Sequence, residues 1–292
     1  MTAAVSPQFS PEENDALILE VQQALRGGGA AVNDSVTLLR LVEGLGDPRG
    51  MTRLNFAESL GAIGRPAVPF LVKALRDHAN VTVRRAAAKT LTLIEDPEAL
   101  PDLELALVKD PDPVVQGSAA GAMARCGAEA FPRLLTLLED PEGSAMVKGL
   151  SAWALAFIGS RASELIEPAL SSPSVDARAA VVGALADQIR STDDPVARDL
   201  LYRCLDDPAE DVRGEVVTVL GNLQADEHLP KVLMALEDRS PQVRKLAALA
   251  LVKIENESAI PHLEEALTTE QEGELAPIYR LALAQLQRRL ER

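Results

Sequence analysis

A turn signal recurs along this chain at Asp47-Pro48, Asp77, Asp110-Pro111, Asp140-Pro141, Ser172-Pro173, Asp207-Pro208 and Asp238, in steps of 30, 33, 30, 32, 35 and 31 residues. A period of that size restricts the fold to stacked repeats, because one short helical unit cannot bury its own apolar face. Each turn has a short apolar helix on either side. A basic or long polar residue follows each turn at the start of the second helix: Arg53, Arg84, Gln116, Lys148, Arg178, Arg213 and Arg244. Proline marks the first helix at Pro69, Pro101, Pro132, Pro230 and Pro261. In a helix's first turn it removes no hydrogen bond, so it starts these helices without breaking them.

The second helices align column by column. Four residues after the ladder stand Ala57, Ala88, Ala120, Ala152, Val182, Val217 and Ala248. Seven after it stand Leu60, Leu91, Met123, Leu155, Leu185, Leu220 and Leu251. Ten after it, or eleven in the irregular fifth repeat, come Ile63, Ile94, Cys126, Ile158, Ile189, Leu223 and Ile254. These offsets share one helical face, and its small residues let neighbouring helices approach closely. Proline in the first helix, Asp at the turn and Val-Arg entering the second helix resemble HEAT-like repeats. The expected fold is all-α: a right-handed α-solenoid of about eight helix pairs over 34–292. Residues 1–33 are expected to form an extra helix, capped by Ser10 with Pro11 at its first position, and a Gly27–Gly29 linker.

Composition narrows the chemistry. Of 292 residues, 29 are Lys or Arg and 44 are Asp or Glu, a formal charge of −15. Such a chain lacks the concentrated cationic surface that nucleic acid needs, so no nucleic-acid partner is expected. Aromatics are 3% of the chain, against a β-sandwich or barrel. Cys126 and Cys204 are too few for a disulfide framework, and both sit in columns of small apolar residues. The chain's start resembles no secretory signal, and no apolar run reaches spanning length, so a cytoplasmic protein is expected.

No phosphate-binding loop and no nucleophile elbow occurs. His78, His228 and His262 lie in different repeats, so no metal site is expected; His78 reads as a turn residue, the other two as exposed on first helices. The turn aspartates and the basic ladder read as structural partners of one another, and no catalytic residue is assigned.

Binding is expected on the exposed face of the second helices. The one tryptophan, Trp153, falls there with Phe157 one turn later. Gly117, Gly121 and Gly149 lie beside them, each unfavourable in a helix by about 1 kcal/mol against Ala, and Arg85, Lys89 and Arg125 line the N-terminal side. An aromatic shelf, a glycine floor and a cationic rim suit a flat, apolar, anionic ligand or a partner's apolar helix. The alternative is that Trp153 simply fills the space the glycines leave.

Several stretches carry a closer resemblance: Met51 to Glu58, VRRAAAKTLTLIEDP (83–97), DPDPVVQGSAAGAMAR (110–125) and KGLSAWALAFIG (148–159). They are similar to the cyanobacterial HEAT-like proteins of phycobilisome biology, which include the non-bleaching (NblB-type) degradation proteins and the E/F-type phycobilin lyases. The resemblance implies phycobiliprotein subunits as partners, beside the thylakoid-associated antenna. It implies a phycocyanobilin-like phycobilin as ligand, not as a permanent cofactor, with its propionates on Arg85, Lys89 and Arg125. The lyase subunits carry an aromatic-dense cluster near their first repeat, whereas residues 50–64 hold only Phe56. The expectation therefore leads with phycobilisome degradation or turnover. The alternatives are a lyase or lyase subunit attaching or detaching bilins, with a second HEAT-like subunit, and a generic protein-binding scaffold.

Overall fold

The computed structural model describes residues 9–27, 32–270 and 273–291. Gly28 and Gly29 of the expected linker, and the leader expectation at residues 1–8, lie outside them. The described chain is all-α, with no strand. Helix α1 (Pro11–Arg26) is followed by helix pairs: α2 (Ser35–Gly44) and α3 (Gly50–Ile63), α4 (Val68–Asp77) and α5 (Val81–Ile94), α6 (Leu100–Lys109) and α7 (Pro113–Arg125), α8 (Phe131–Glu139) and α9 (Ala145–Ile158). The remainder are α10 (Ser163–Ala169) and α11 (Val175–Thr192), α12 (Pro195–Arg203) and α13 (Glu210–Leu223), α14 (Leu229–Met234) and α15 (Pro241–Ile254), α16 (Ala259–Thr269) and α17 (Ala276–Leu290). This is the HEAT-like solenoid architecture that the period predicts.

The chain divides into two compact units, residues 1–137 with 143–154 and residues 138–142 with 155–292. In the first, α3 packs on α5 and α5 on α7, while α2, α4 and α6 form a second layer. In the second, α11, α13, α15 and α17 pack in sequence. The boundary expected at residue 33 falls inside the first unit, because α1 packs on α3. Ser10 caps α1 and forms a capping box with Glu13. Asn14 Nδ2 donates to Asp47 Oδ2 at 2.8 Å, and Arg49 pairs with Asp15.

The column seven residues after the ladder is the core of both units: Leu60, Leu91, Met123, Leu155, Leu185, Leu220 and Leu251 are all buried. The ladder itself is a repeated device. Arg84 binds Asp110 through Nε and Nη2, Arg178 binds Asp207 and Arg213 binds Asp238 in the same way. Each also donates from Nη1 to the carbonyl six residues back, that of His78, Ser172 or Asp207. Each of these aspartates in turn accepts the backbone N–H two residues on. One side chain thus joins the turns of successive repeats, and the guanidinium fork matches both carboxylate oxygens.

A second column escapes composition-based reading. The residue eleven after the ladder ends the second helix in the left-handed region: Gly64, Glu95, Gly127, Gly159, Gln224 and Glu255, with Asp193 ending the longer α11. Left-handed φ costs a non-glycine residue roughly 1–2 kcal/mol. Gln224→Gly should therefore raise stability by about 0.5–1 kcal/mol in urea unfolding, after the entropy of the added glycine is subtracted. Glu95→Gly and Glu255→Gly should gain less, because each removes a carboxylate paired with Arg125 or Arg289. A lowered midpoint for Gln224→Gly would contradict this account.

Candidate functional site

Trp153 sits on α9, five residues past the ladder, so the helical period that buries Leu155 turns the indole outward. It is 52% exposed. Its six-membered ring lies over Gly121 of α7: a β-carbon there would stand 3.8 Å from Cη2 and 3.9 Å from Cζ3. The glycine thus gives the ring a flat backbone to rest on. Gly117 faces Leu150 instead, whose Cδ2 would be 3.9 Å from an added β-carbon, and Gly149 opens onto free space. Met146, two turns before Trp153 on the same face, is also 52% exposed, as is Val114 on α7 at 44%. Both reinforce an apolar strip that the sequence reading did not include.

The cations are less available than the sequence suggests. Arg85 binds Asp112, the N-cap of α7, through Nε at 2.9 Å and Nη2 at 2.5 Å. That guanidinium and two backbone N–H groups hold the Asp112 carboxyl down at about 2. Arg125 pairs with Glu95. Lys89 is exposed and forms no ion pair among the described residues. Arg85 is thus part of a helix cap as well as part of the rim. Phe157 lies one turn beyond Trp153 on α9 and is 48% exposed; it belongs to the second unit, where the Arg161 guanidinium sits 5.9 Å from its ring centroid.

Other expectations change. His228 is not exposed: it is 1% exposed in the turn before α14, and its Nδ1 is 2.7 Å from the Tyr202 hydroxyl. Burial pushes its pKa down, which suits a neutral imidazole hydrogen-bonded to a phenol. Cys204 is buried and its thiol is pushed up to about 11, so it is no thiolate at neutral pH. Cys126 is half-buried, with Sγ 3.4 Å from the Ala122 carbonyl oxygen. No cluster of three metal-ligating side chains occurs among the described residues, and no described helix is long and apolar enough to cross a membrane.

Glu215, on α13, was not singled out from sequence. Burial pushes its carboxyl up, and it makes no ion pair among the described residues. The available signal was its column, two after the ladder, where the other repeats carry Asn55, Ala86, Ser118, Leu150, Ala180 and Leu246.

HEAT repeats match the chain at residues 38–124, 102–186, 131–215 and 197–284. The chain is 38% identical over 279 residues to the bilin biosynthesis protein MpeU of Synechococcus sp. (strain WH8020), covering 95% of this chain and 94% of that one. It is 34% identical over 125 residues to the uncharacterized phycocyanin operon protein Z of Pseudanabaena tenuis (strain PCC 7409), covering 40% of this chain and 61% of that one. Among solved structures, a Kap121p mutant superposes with a TM-score of 0.55 at 14% identity, across 97% of this chain and 38% of that longer one. That likeness concerns the fold alone. The period, the column packing and the near end-to-end match to MpeU together establish that the chain belongs to the HEAT-repeat family and, within it, to the family of the bilin biosynthesis protein MpeU.

Proposed function

We propose that the chain binds a linear tetrapyrrole and takes part in attaching it to a phycobiliprotein cysteine, as a bilin lyase or one subunit of such a lyase. The likeness to a bilin biosynthesis protein over nearly the whole chain carries this reading. It favours a role in building pigment over the degradation role that the sequence placed first, because that relative is named for bilin biosynthesis. No observation favours a generic scaffold.

The chemistry asks little of a catalytic group. Attachment adds the acceptor thiol across an exocyclic double bond of the bilin: a sulfur–carbon bond forms, and the thiol proton ends on the adjacent carbon. Nothing leaves and nothing is oxidised. Holding bilin and cysteine in register converts a two-body encounter into a local one, and this is the contribution that a rigid helical surface can make. In this reading the tetrapyrrole lies against Trp153, with Gly117, Gly121 and Gly149 keeping the surface flat. The propionates meet Lys89 first, then Arg85 and Arg125 by exchange with Asp112 and Glu95. The acceptor subunit and a second HEAT-like chain are the proposed partners, in the cytoplasm beside the antenna.

Because Trp153 is the one tryptophan, its fluorescence reports the site directly. Titration with phycocyanobilin should quench it saturably in the micromolar range. Trp153→Ala should weaken binding about tenfold, the scale of one aromatic stack with its buried area, and leave the melting temperature almost unchanged because the indole is half exposed. An unchanged bilin absorbance spectrum at micromolar protein would refute the bilin reading. Recovery of no phycobiliprotein from a pigmented lysate would return the scaffold alternative.

A further inference from the structure

In a chain of formal charge −15, the second helices α15 and α17 carry six cations and no carboxylate: Arg244, Lys245 and Lys253 on one, Arg280, Arg288 and Arg289 on the other. Arg244 is committed to the ladder through Glu270. Two of the others, Lys253 and Arg289, line a groove of about 240 Å³ whose floor is Leu246, Leu249 and Ala250 and whose walls include Thr218 and Gln285. On α15, Lys245, Leu249 and Lys253 follow one another at four-residue spacing. A cation, an apolar side chain and a second cation therefore share one stripe, with the cations about 12 Å apart along the axis. On α17 the neighbouring stripe is Leu281, Gln285 and Arg289, with Leu281 53% exposed.

The carboxylates that could cancel this charge are few. Lys253 Nζ donates to a neutral acceptor, Asn222 Oδ1, at 2.7 Å. Lys245 makes no ion pair among the described residues. Arg289 shares its charge with Glu255. The neighbouring helix α13 carries Glu210 and Asp211 in its first turn and Glu215 beyond them.

We infer that this groove is a binding site for an amphipathic organic anion: a flat apolar body lying on Leu246 and Leu249, with acid groups at Lys253 and Arg289 and a second acid reaching Lys245. The charge complementarity argues for the occupant. An apolar floor between two cations favours a ligand whose acids stand at its edges, and strips water from neither a buried charge nor an unpaired carbonyl. The site lies wholly in the second unit and is separate from the Trp153 surface. A tetrapyrrole with two propionates belongs to this ligand class, so a bilin-handling protein has a use for it, but the groove stands on its own residues.

The test uses the full chain and 8-anilinonaphthalene-1-sulfonate, an apolar anion whose fluorescence rises on binding. Saturable binding is expected, weakening about tenfold in Lys253→Glu and several-fold in Lys245→Glu, falling with added salt, and unchanged in Lys73→Glu, an exposed cation of the first unit. Lys253→Gln is the milder companion: it keeps the side chain's polarity, and a circular-dichroism melt equal to wild type shows that the loss is not unfolding. Equal affinity in wild type, Lys253→Gln and Lys253→Glu, or an equal loss in Lys73→Glu, overturns the proposal. Phycocyanobilin is then added as competitor. Displacement identifies the bilin as one occupant. A groove that binds the probe in this residue-dependent way but releases none of it to bilin supports the site while counting against its bilin occupancy.

Discussion

Arg213→Ala should cost about 3–5 kcal/mol of unfolding free energy, the range for leaving one partner of a buried ion pair unmatched. Arg213 is 4% exposed. Its Nε and Nη2 each reach Asp238 at 2.8 Å, and Nη1 donates to the Asp207 and Pro208 carbonyls at 2.8 and 3.2 Å. Alanine removes four hydrogen bonds and strands a carboxylate with only the Ser240 N–H at 2.7 Å. Arg213→Met should recover packing but not the charge, and adding Asp238→Leu to it should restore much of the loss, because the uncompensated ion is then gone. If the double variant is no more stable than Arg213→Met in urea, the cost lies in the carbonyl contacts instead. Arg85→Ala should be far milder, since that pair is 40% exposed on the arginine side.

The same pairs set an acid limit. Arg178 and Arg213 hold Asp207 and Asp238 below the ordinary carboxylate value of 3.8 in the folded chain. The unfolded chain then takes up protons first as the pH falls, so the stabilisation is complete above about pH 5 and drains away as the pH drops through 4 toward the folded values. Arg213→Met should flatten that part of the stability profile.

The sequence made the repeat legible because the columns obey a helical period that tertiary packing cannot hide. Leu91 and Leu220 are buried for the same reason that they recur. The outward direction of Trp153 follows from that period as well. The partners of Arg85 and Arg125 did not follow, because an arginine's reach is set by the twist between repeats and not by its own helix. Asp112 and Glu95 are 27 and 30 residues away from them. His228 was misread for a related reason: its column looks exposed until Tyr202, on a neighbouring helix, closes over it. The left-handed column was hidden by its side chains. Three members are glycine and announce the turn, but Glu95, Gln224 and Glu255 adopt a positive φ there against their own preference, because repeat stacking fixes where each second helix must stop. Glu215 and the α15–α17 groove were missed because each needs charges from different repeats to be compared in space.

Gly159→Ala should destabilise the chain by about 2–4 kcal/mol, the sum of a backbone term and a steric one. Gly159 ends α9 at φ 39°, where an alanine is strained even in open space. The space is not open. An added β-carbon would run into Asp187 Cβ as well as its Oδ2, so rotating the carboxylate away does not relieve the clash. Moving Asp187 also forfeits the contacts that its Oδ2 accepts from the Ser160 backbone N–H at 3.2 Å and hydroxyl at 3.3 Å. Gly64 is the internal control. It sits in the same column at φ 74° and ψ −136° with nothing within 4 Å of an added β-carbon, so Gly64→Ala should show a backbone cost with no clash added to it. Adding Asp187→Ala to Gly159→Ala removes the atoms beyond Cβ and should return only part of the steric cost, because Cβ itself remains in the way. A Gly159→Ala loss no larger than the backbone cost of about 1–2 kcal/mol would mean that the helix end can shift away from α11, and the close approach of Asp187 would then have no energetic weight.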